Sequence, residues 1–132
     1  MILGVGTDLV DVRRIEKLLH LYGERFWNRV LNPQERALLK ENFSSWSALL
    51  LAKRFAAKEA CSKALGTGIS ADLSWHDMTI VHGLGKPPQI LLSPFFLDKI
   101  QKKRGWTDLI KLDLSLSDEY PYVLAFVVLS RN

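Results

Sequence analysis

Glu59 and Lys63 stand four residues apart in the run Arg54 to Gly68, RFAAKEACSKALGTG, and both carry charges suited to phosphate chemistry. On a helix, residues four apart share one face. Ala52, Ala56, Ala57, Ala60 and Ala64 keep much of the remaining surface slim, so neighbouring elements can approach closely. Gly66 is placed to take the left-handed conformation that ends helices. Thr67 and Gly68 are then expected to present backbone N–H groups near Lys63. A carboxylate for Mg²⁺, with an ammonium and amides for phosphate oxygens, suits a metal-bound phosphate. An ordinary amphipathic helix with a surface Glu–Lys pair and a glycine cap shows the same spacing, so the spacing alone leaves both readings open.

The opening run MILGVGTD is apolar, has glycines at 4 and 6, and ends on Asp8. It is expected to form a short buried strand with little side chain at the glycines. Asp8 falls where that strand should give way to a helix over about Asp11–Tyr22. A carboxylate at a strand end is ordinarily a helix cap or a solvated turn. Paired with Glu59, it would instead be half of a hard-metal site.

These residues need elements to hold them, and the rest of the chain reads as α+β. Gly23 breaks the first helix. Asn32-Pro33-Gln34-Glu35 marks a helix start, with Asn32 as cap and Glu35 reaching back, for a helix to about Lys40. The polar stretch 42–45 reads as a turn, and the long helix follows over Ser47–Leu65. Strands are expected near Asp77–Val81 and Gln89–Leu92, joined by a loop over Gly83–Pro88. Ser93-Pro94 opens a helix that ends before Gly105. Residues Leu109–Leu116 alternate, with Ile110, Leu112, Leu114 and Leu116 on one face. After a turn at 117–121, Tyr122–Leu129 is apolar on both faces, so both should be buried. A central position under a helix, or contact with a second copy of the chain, would each cover it.

The 132 residues fit one domain of 1–132 with a single core, and 48% apolar content argues against disorder. No apolar run is long enough to span a bilayer, and no signal-peptide pattern opens the chain. The single cysteine cannot form an internal disulfide, which suits a reducing cytoplasm. Cys61, inside the long helix, reads as a packing residue, and His20, His76 and His82 lack metal-ligand spacing. A net charge of +4 points to an acidic partner or an anionic ligand. Lys102, Lys103 and Arg104 end a helix, where cations are at home. The alternative reading is a non-catalytic basic domain that binds nucleic acid, with Trp27, Trp46, Trp75 and Trp106 as stacking groups. No basic–aromatic motif groups those tryptophans.

Gly4-Val5-Gly6-Thr7-Asp8 with Arg14, and Phe55-Ala56-Ala57-Lys58-Glu59-Ala60 with Lys63 and Gly66-Thr67-Gly68, resemble the two signatures of the 4′-phosphopantetheinyl transferases. The small holo-[acyl-carrier-protein] synthase branch is the nearest in pattern, and Gly85-Lys86-Pro87 matches a further short element. The resemblance runs from Met1 to about Ser130. It implies the family's α+β fold, a small antiparallel sheet packed with a long central helix and shorter helices, assembled as a homotrimer with sites between subunits. The implied activity is Mg²⁺-dependent transfer of the phosphopantetheine arm of coenzyme A to a serine of acyl carrier protein, in fatty acid biosynthesis, with no nucleic acid or membrane partner. It casts Asp8 and Glu59 as metal ligands and Lys63 as catalytic with them. Arg54, Lys63, Gly66, Thr67, Gly68 and Lys86 would bind the cofactor. Arg14, joined by Arg13, Lys17 and Arg25 on charge grounds, would face the carrier protein. The segment 111–116 lacks the histidine that many relatives carry there.

Overall fold

The computed structural model describes residues 1–42, 47–83 and 85–132, and the side chains of all of these but 40–42. Residues 43–45 of the expected turn, Trp46, and Leu84 of the expected loop lie outside the described residues. In chain order the elements are β1 (Ile2–Asp11), α1 (Val12–Tyr22), α2 (Glu24–Val30), α3 (Pro33–Asn42), α4 (Ala48–Leu65), β2 (Met78–Val81), β3 (Gln89–Leu92), α5 (Pro94–Arg104), β4 (Ile110–Glu119) and β5 (Tyr122–Arg131).

The expected small sheet is two antiparallel sheets. One has the order β1-β5-β4 and the other is the hairpin β2-β3. β5 is therefore a central strand, and α4 packs across β1 and β5. Glycine permits that packing: a Cβ at Gly4 would collide with the carbonyl oxygen of Ala64, and one at Gly6 with that of Ala60. The strand backbone thus rests directly on the helix backbone, with alanines supplying the other half of the fit. Val123, Ala125, Val127 and Leu129 of β5 point into this interface and are buried.

The opposite face of the sheet is not covered within a single chain. Within a single chain Val5 is 50% exposed, Leu9 64% and Phe126 42%, with Leu124 also open. Leu9 pairs across the strands with Leu124, and Val5 with Val128, two residues from Phe126 on the same strand. β1 is correspondingly half-buried rather than buried. It also continues three residues past Asp8, because pairing with β5 persists to Asp11↔Tyr122. Asp8 is therefore a mid-strand residue, and the cap of α1 is Asp11, whose carboxylate accepts from the Arg13 backbone N–H at 2.9 Å.

Local chemistry accounts for the other boundaries. Asn32 and Glu35 form the reciprocal cap of α3, with Asn32 N–H donating to Glu35 Oε1 at 3.1 Å and Glu35 N–H to Asn32 Oδ1 at 2.9 Å. Ser47 caps α4 and Gly66 ends it at φ 75°. Ser93 caps α5 with Pro94 at its first position. Gly23, at φ 55°, ends α1 and starts α2 at once. The seven-residue α2 is too short to show helical periodicity, and nothing in ERFWNRV announces it.

Candidate active site

β1 lies on α4 closely enough to bring Asp8 beside Lys63. The Lys63 ammonium donates to Asp8 Oδ1 at 3.2 Å and to the Thr7 carbonyl at 2.9 Å. The lysine four residues after Glu59 thus pairs with an acid 55 residues away in sequence rather than with Glu59. Glu59 sits half-buried on the same helix. Burial chiefly, and then the negative charge of Asp8, push its carboxyl above the usual carboxylate range, while Lys63 and Arg14 pull it back. A carboxylate raised by a neighbouring carboxylate gains from a shared cation. Among the described residues no cluster of three or more His, Cys, Asp or Glu exists. A cation at Asp8 and Glu59 would take its other ligands from water and phosphate, as Mg²⁺ does and a closed zinc site does not. The residues fit the ion on these grounds.

Glu59 also lines a cleft of about 600 Å³ with Arg14, Arg25, Arg29, Phe55 and Trp75. The Arg14 guanidinium lies 5.7 Å from the centroid of the Phe55 ring. Phe55 in turn stacks on Trp75 at 4.9 Å and reaches Phe26 at 6.3 Å. Of the expected partner-facing cations, Arg14 and Arg25 reach this cleft. Arg13 is turned back on Asp11, 2.7 Å between Nη2 and Oδ2, and holds that carboxyl below its usual range. Lys17 is exposed on α1 and does not line the cleft. The sequence alone does not place Arg29 at the site, and it offers Trp75 only as a stacking group of the alternative reading. The four-residue spacing of Arg25 and Arg29 would have found Arg29, had α2 been recognised.

Arg54 and Lys86 belong elsewhere in the chain's surface. Arg54 lines a second cleft, of about 370 Å³, with Glu35, Lys53, His82 and Gly83. Burial lowers the pKa of its guanidinium, and its Nε has no hydrogen-bond partner among the described residues. Lys86 is exposed in the β2–β3 loop, its backbone N–H donating to the Gly83 carbonyl at 3.2 Å. The glycine loop corrects another expectation. The N–H groups of Thr67 and Gly68 are not bare: both donate to the Ser62 carbonyl, at 3.1 and 3.2 Å, and Gly66 N–H donates to Lys63. They close the end of α4, so backbone amides do not form a phosphate cradle here. The Thr67 hydroxyl is buried without a hydrogen-bond partner among the described residues. Cys61 is buried and its thiol pushed up to about 12, which fits a packing role. At the end of α5, Lys102 pairs with Asp98 and Arg104 donates to the Leu65 carbonyl at 2.9 Å, so that cluster serves the fold.

One further charge sits beside the site. Lys58 is wholly buried against Glu35, 2.6 Å between Nζ and Oε1. Burial lowers its pKa, and the Glu35 carboxylate opposes that shift. The sequence offered Lys58 only as a letter of the helix motif.

Two neighbouring carboxylates and a lysine, with Glu59 also lining a cationic, aromatic cleft, suit group transfer at phosphorus. The profile of the 4′-phosphopantetheinyl transferase superfamily matches residues 4–125, and the chain belongs to that superfamily. A protein of Nitrobacter hamburgensis named holo-[acyl-carrier-protein] synthase is 42% identical over 132 residues, spanning 98% of this chain and 95% of its own length. The crystal structure of a holo-[acyl-carrier-protein] synthase from Neisseria meningitidis superposes with a TM-score of 0.85 at 39% identity, over 98% of this chain and 99% of that one. That of the Helicobacter pylori enzyme, in complex with coenzyme A, gives 0.78 at 35% identity, over 96% and 99%.

Proposed function

We propose that this chain transfers the 4′-phosphopantetheine arm of coenzyme A to a serine of an apo-acyl carrier protein and releases adenosine 3′,5′-bisphosphate. The observation that carries the reading is the convergence of Asp8, Lys63 and Glu59, from a strand and a helix far apart in sequence, with Glu59 lining the arginine–aromatic cleft. Membership in the superfamily names the reaction, and relatives of full-length similarity carry the synthase name.

The serine oxygen bonds to the phosphorus that carries pantetheine, and the bond from that phosphorus to the bridging oxygen of the pyrophosphate breaks. Such transfers depend on alignment and charge neutralisation more than on covalent help. Asp8 and Glu59 would hold Mg²⁺, which supplies charge neutralisation at the pyrophosphate when bound. Lys63, 53% exposed at its side chain and anchored on Thr7 and Asp8, presents its ammonium to the leaving phosphate. Glu59, which lines the cleft, accepts the serine proton through a water. Gly66, Thr67 and Gly68 shape the channel beside Lys63 by steric form rather than by amide donation. Arg54, in its own cleft, and Lys86, on the β2–β3 loop, would meet the phosphates at the far end of the cofactor only if a second subunit brings them to the site.

The open sheet face supports that assembly. Val5, Leu9, Leu124 and Phe126 form an exposed apolar patch of the kind that marks an interface. Three chains closing on it would give the homotrimer. Arg14, Arg25 and Arg29 give the cleft a positive wall for an acidic carrier protein. The test is mass spectrometry of an apo-carrier protein incubated with the chain, coenzyme A and Mg²⁺. A pantetheine-sized mass gain on the serine is expected, and an unchanged carrier mass would refute the reading.

A further inference from the structure

Lys58 precedes Glu59 on α4, and all three of its N–H groups are used. They donate to the Val30 carbonyl at 2.6 Å, to Glu35 Oε1 at 2.6 Å and to the Trp75 carbonyl at 3.0 Å. Val30 and Trp75 both line the arginine–aromatic cleft, as does Glu59. One side chain rooted next to Glu59 therefore holds two points of the facing wall.

The Val30 carbonyl is at the end of α2, where helix carbonyls lack intrahelical partners. An ammonium there satisfies it and suits the helix dipole. This fixes the helix that carries Arg25 and Arg29. Glu35 is itself immobilised. It accepts from Asn32 N–H and from Ile80 N–H, each at 3.1 Å, and the Asn32 amide donates to the Thr79 hydroxyl at 2.7 Å. The network ties α2, α3, α4 and β2 together with every charged atom partnered. Packing alone does not call for such a device, since buried ion pairs are often replaced by apolar residues at no loss of stability. What three directional bonds add is a fixed spacing.

We propose that Lys58, held by Glu35, is a positioning residue that sets the distance between Glu59 and the cleft wall of α2 and Trp75, and thereby how a carrier protein presents its serine. This rests on the reading that the cleft receives the carrier.

The test compares wild type with Lys58→Met, Lys58→Met/Glu35→Gln and Glu35→Asp. The last keeps both charges and withdraws the acceptor by one methylene. Carrier kcat/KM, coenzyme A affinity by calorimetry, and fold by circular dichroism are read for each. In the folded variants the carrier kcat/KM should fall about 10–100-fold, mostly through KM, as expected of a lost supporting contact. The coenzyme A dissociation constant should stay within about twofold. A folded variant with wild-type carrier kcat/KM would overturn the inference, and so would a parallel loss of coenzyme A affinity. Failure of all three to fold would also overturn it, leaving the pair to the fold alone. A wild type that cannot transfer pantetheine would sink the transferase reading, and this inference with it.

Discussion

The contact between β1 and α4 decides whether Asp8 reaches Lys63 and Glu59, and Gly6→Ala probes it with one methyl group. That methyl would meet the carbonyl oxygen of Ala60 and the amide nitrogen of Ala64, both backbone atoms that no rotamer can move. Overpacking usually costs about 1–3 kcal/mol, and a backbone obstacle belongs at the upper end. Losing glycine's freedom in the unfolded chain returns about 0.4–1 kcal/mol. The net is about 2–2.5 kcal/mol of destabilisation. With an unfolding entropy of about 2.1 cal/mol/K per residue over 132 residues, that lowers the melting temperature by about 8 °C. Gly68→Ala is the contrast. Gly68 has φ 64° and nothing within 4 Å of a Cβ, so only left-handed strain of about 1–2 kcal/mol opposes the same entropic gain. Its melting temperature should fall by about 3 °C. Thermal melts by circular dichroism, alongside pantetheine transfer well below the melting temperature, give the answer. Gly6→Ala should also lose turnover while folded, because Asp8 is two residues along the displaced strand. A Gly6→Ala protein that melts within about 2 °C of wild type and turns over normally would refute the close-contact account.

Asp8→Asn and Glu59→Gln should each lower transfer by more than the roughly 10–100-fold typical of a second-sphere loss, and near-normal rates at low Mg²⁺ would remove that residue from the metal site. In metal-free protein Glu59 binds its proton more tightly folded than unfolded, so stability should fall as pH rises from the ordinary glutamate range through its raised value. Glu59→Gln should lack that fall, and parallel melting-temperature curves against pH would contradict it. Phe126→Asp should turn a trimer into monomers by light scattering, and an unchanged mass would place the interface elsewhere. Arg25→Glu should raise the carrier KM and flatten its dependence on salt, without the direct disturbance of Phe55 and Glu59 that a change at Arg14 brings; an unchanged KM would move the docking surface.

Much of the fold was legible because capping chemistry is local. Asn32 with Glu35, Ser47, Gly66 and Ser93-Pro94 each set an end that a four-residue window can see. The errors share the opposite cause. α2 has no periodicity in seven residues, and β1 ran past Asp8 because its partner strand, more than a hundred residues on, kept pairing. The glycine loop was misjudged because the Ser62 carbonyl competes for its amides, and a helix end satisfies its own groups first.

The site shows the same division between residue type and assembly. Asp8, Glu59 and Lys63 were identifiable as chemistry, yet their connection was not: spacing suggested a Glu59–Lys63 pair, and the fold makes a Lys63–Asp8 pair instead. That difference matters mechanistically. A lysine tied to Glu59 would lower the proton affinity of the carboxylate we propose as the proton acceptor. Tied to Asp8 and the Thr7 carbonyl, it acts on Glu59 only through its charge, and burial and Asp8 outweigh that pull and raise the proton affinity of Glu59. Lys58 was the least legible of all, because a buried lysine looks like a surface one until its three acceptors, from α2, α3 and the turn at Trp75, are brought around it. The two lysines five residues apart on α4 thus divide the work by burial. The exposed one is free to meet a phosphate, and the buried one has no hydrogen left to offer a substrate.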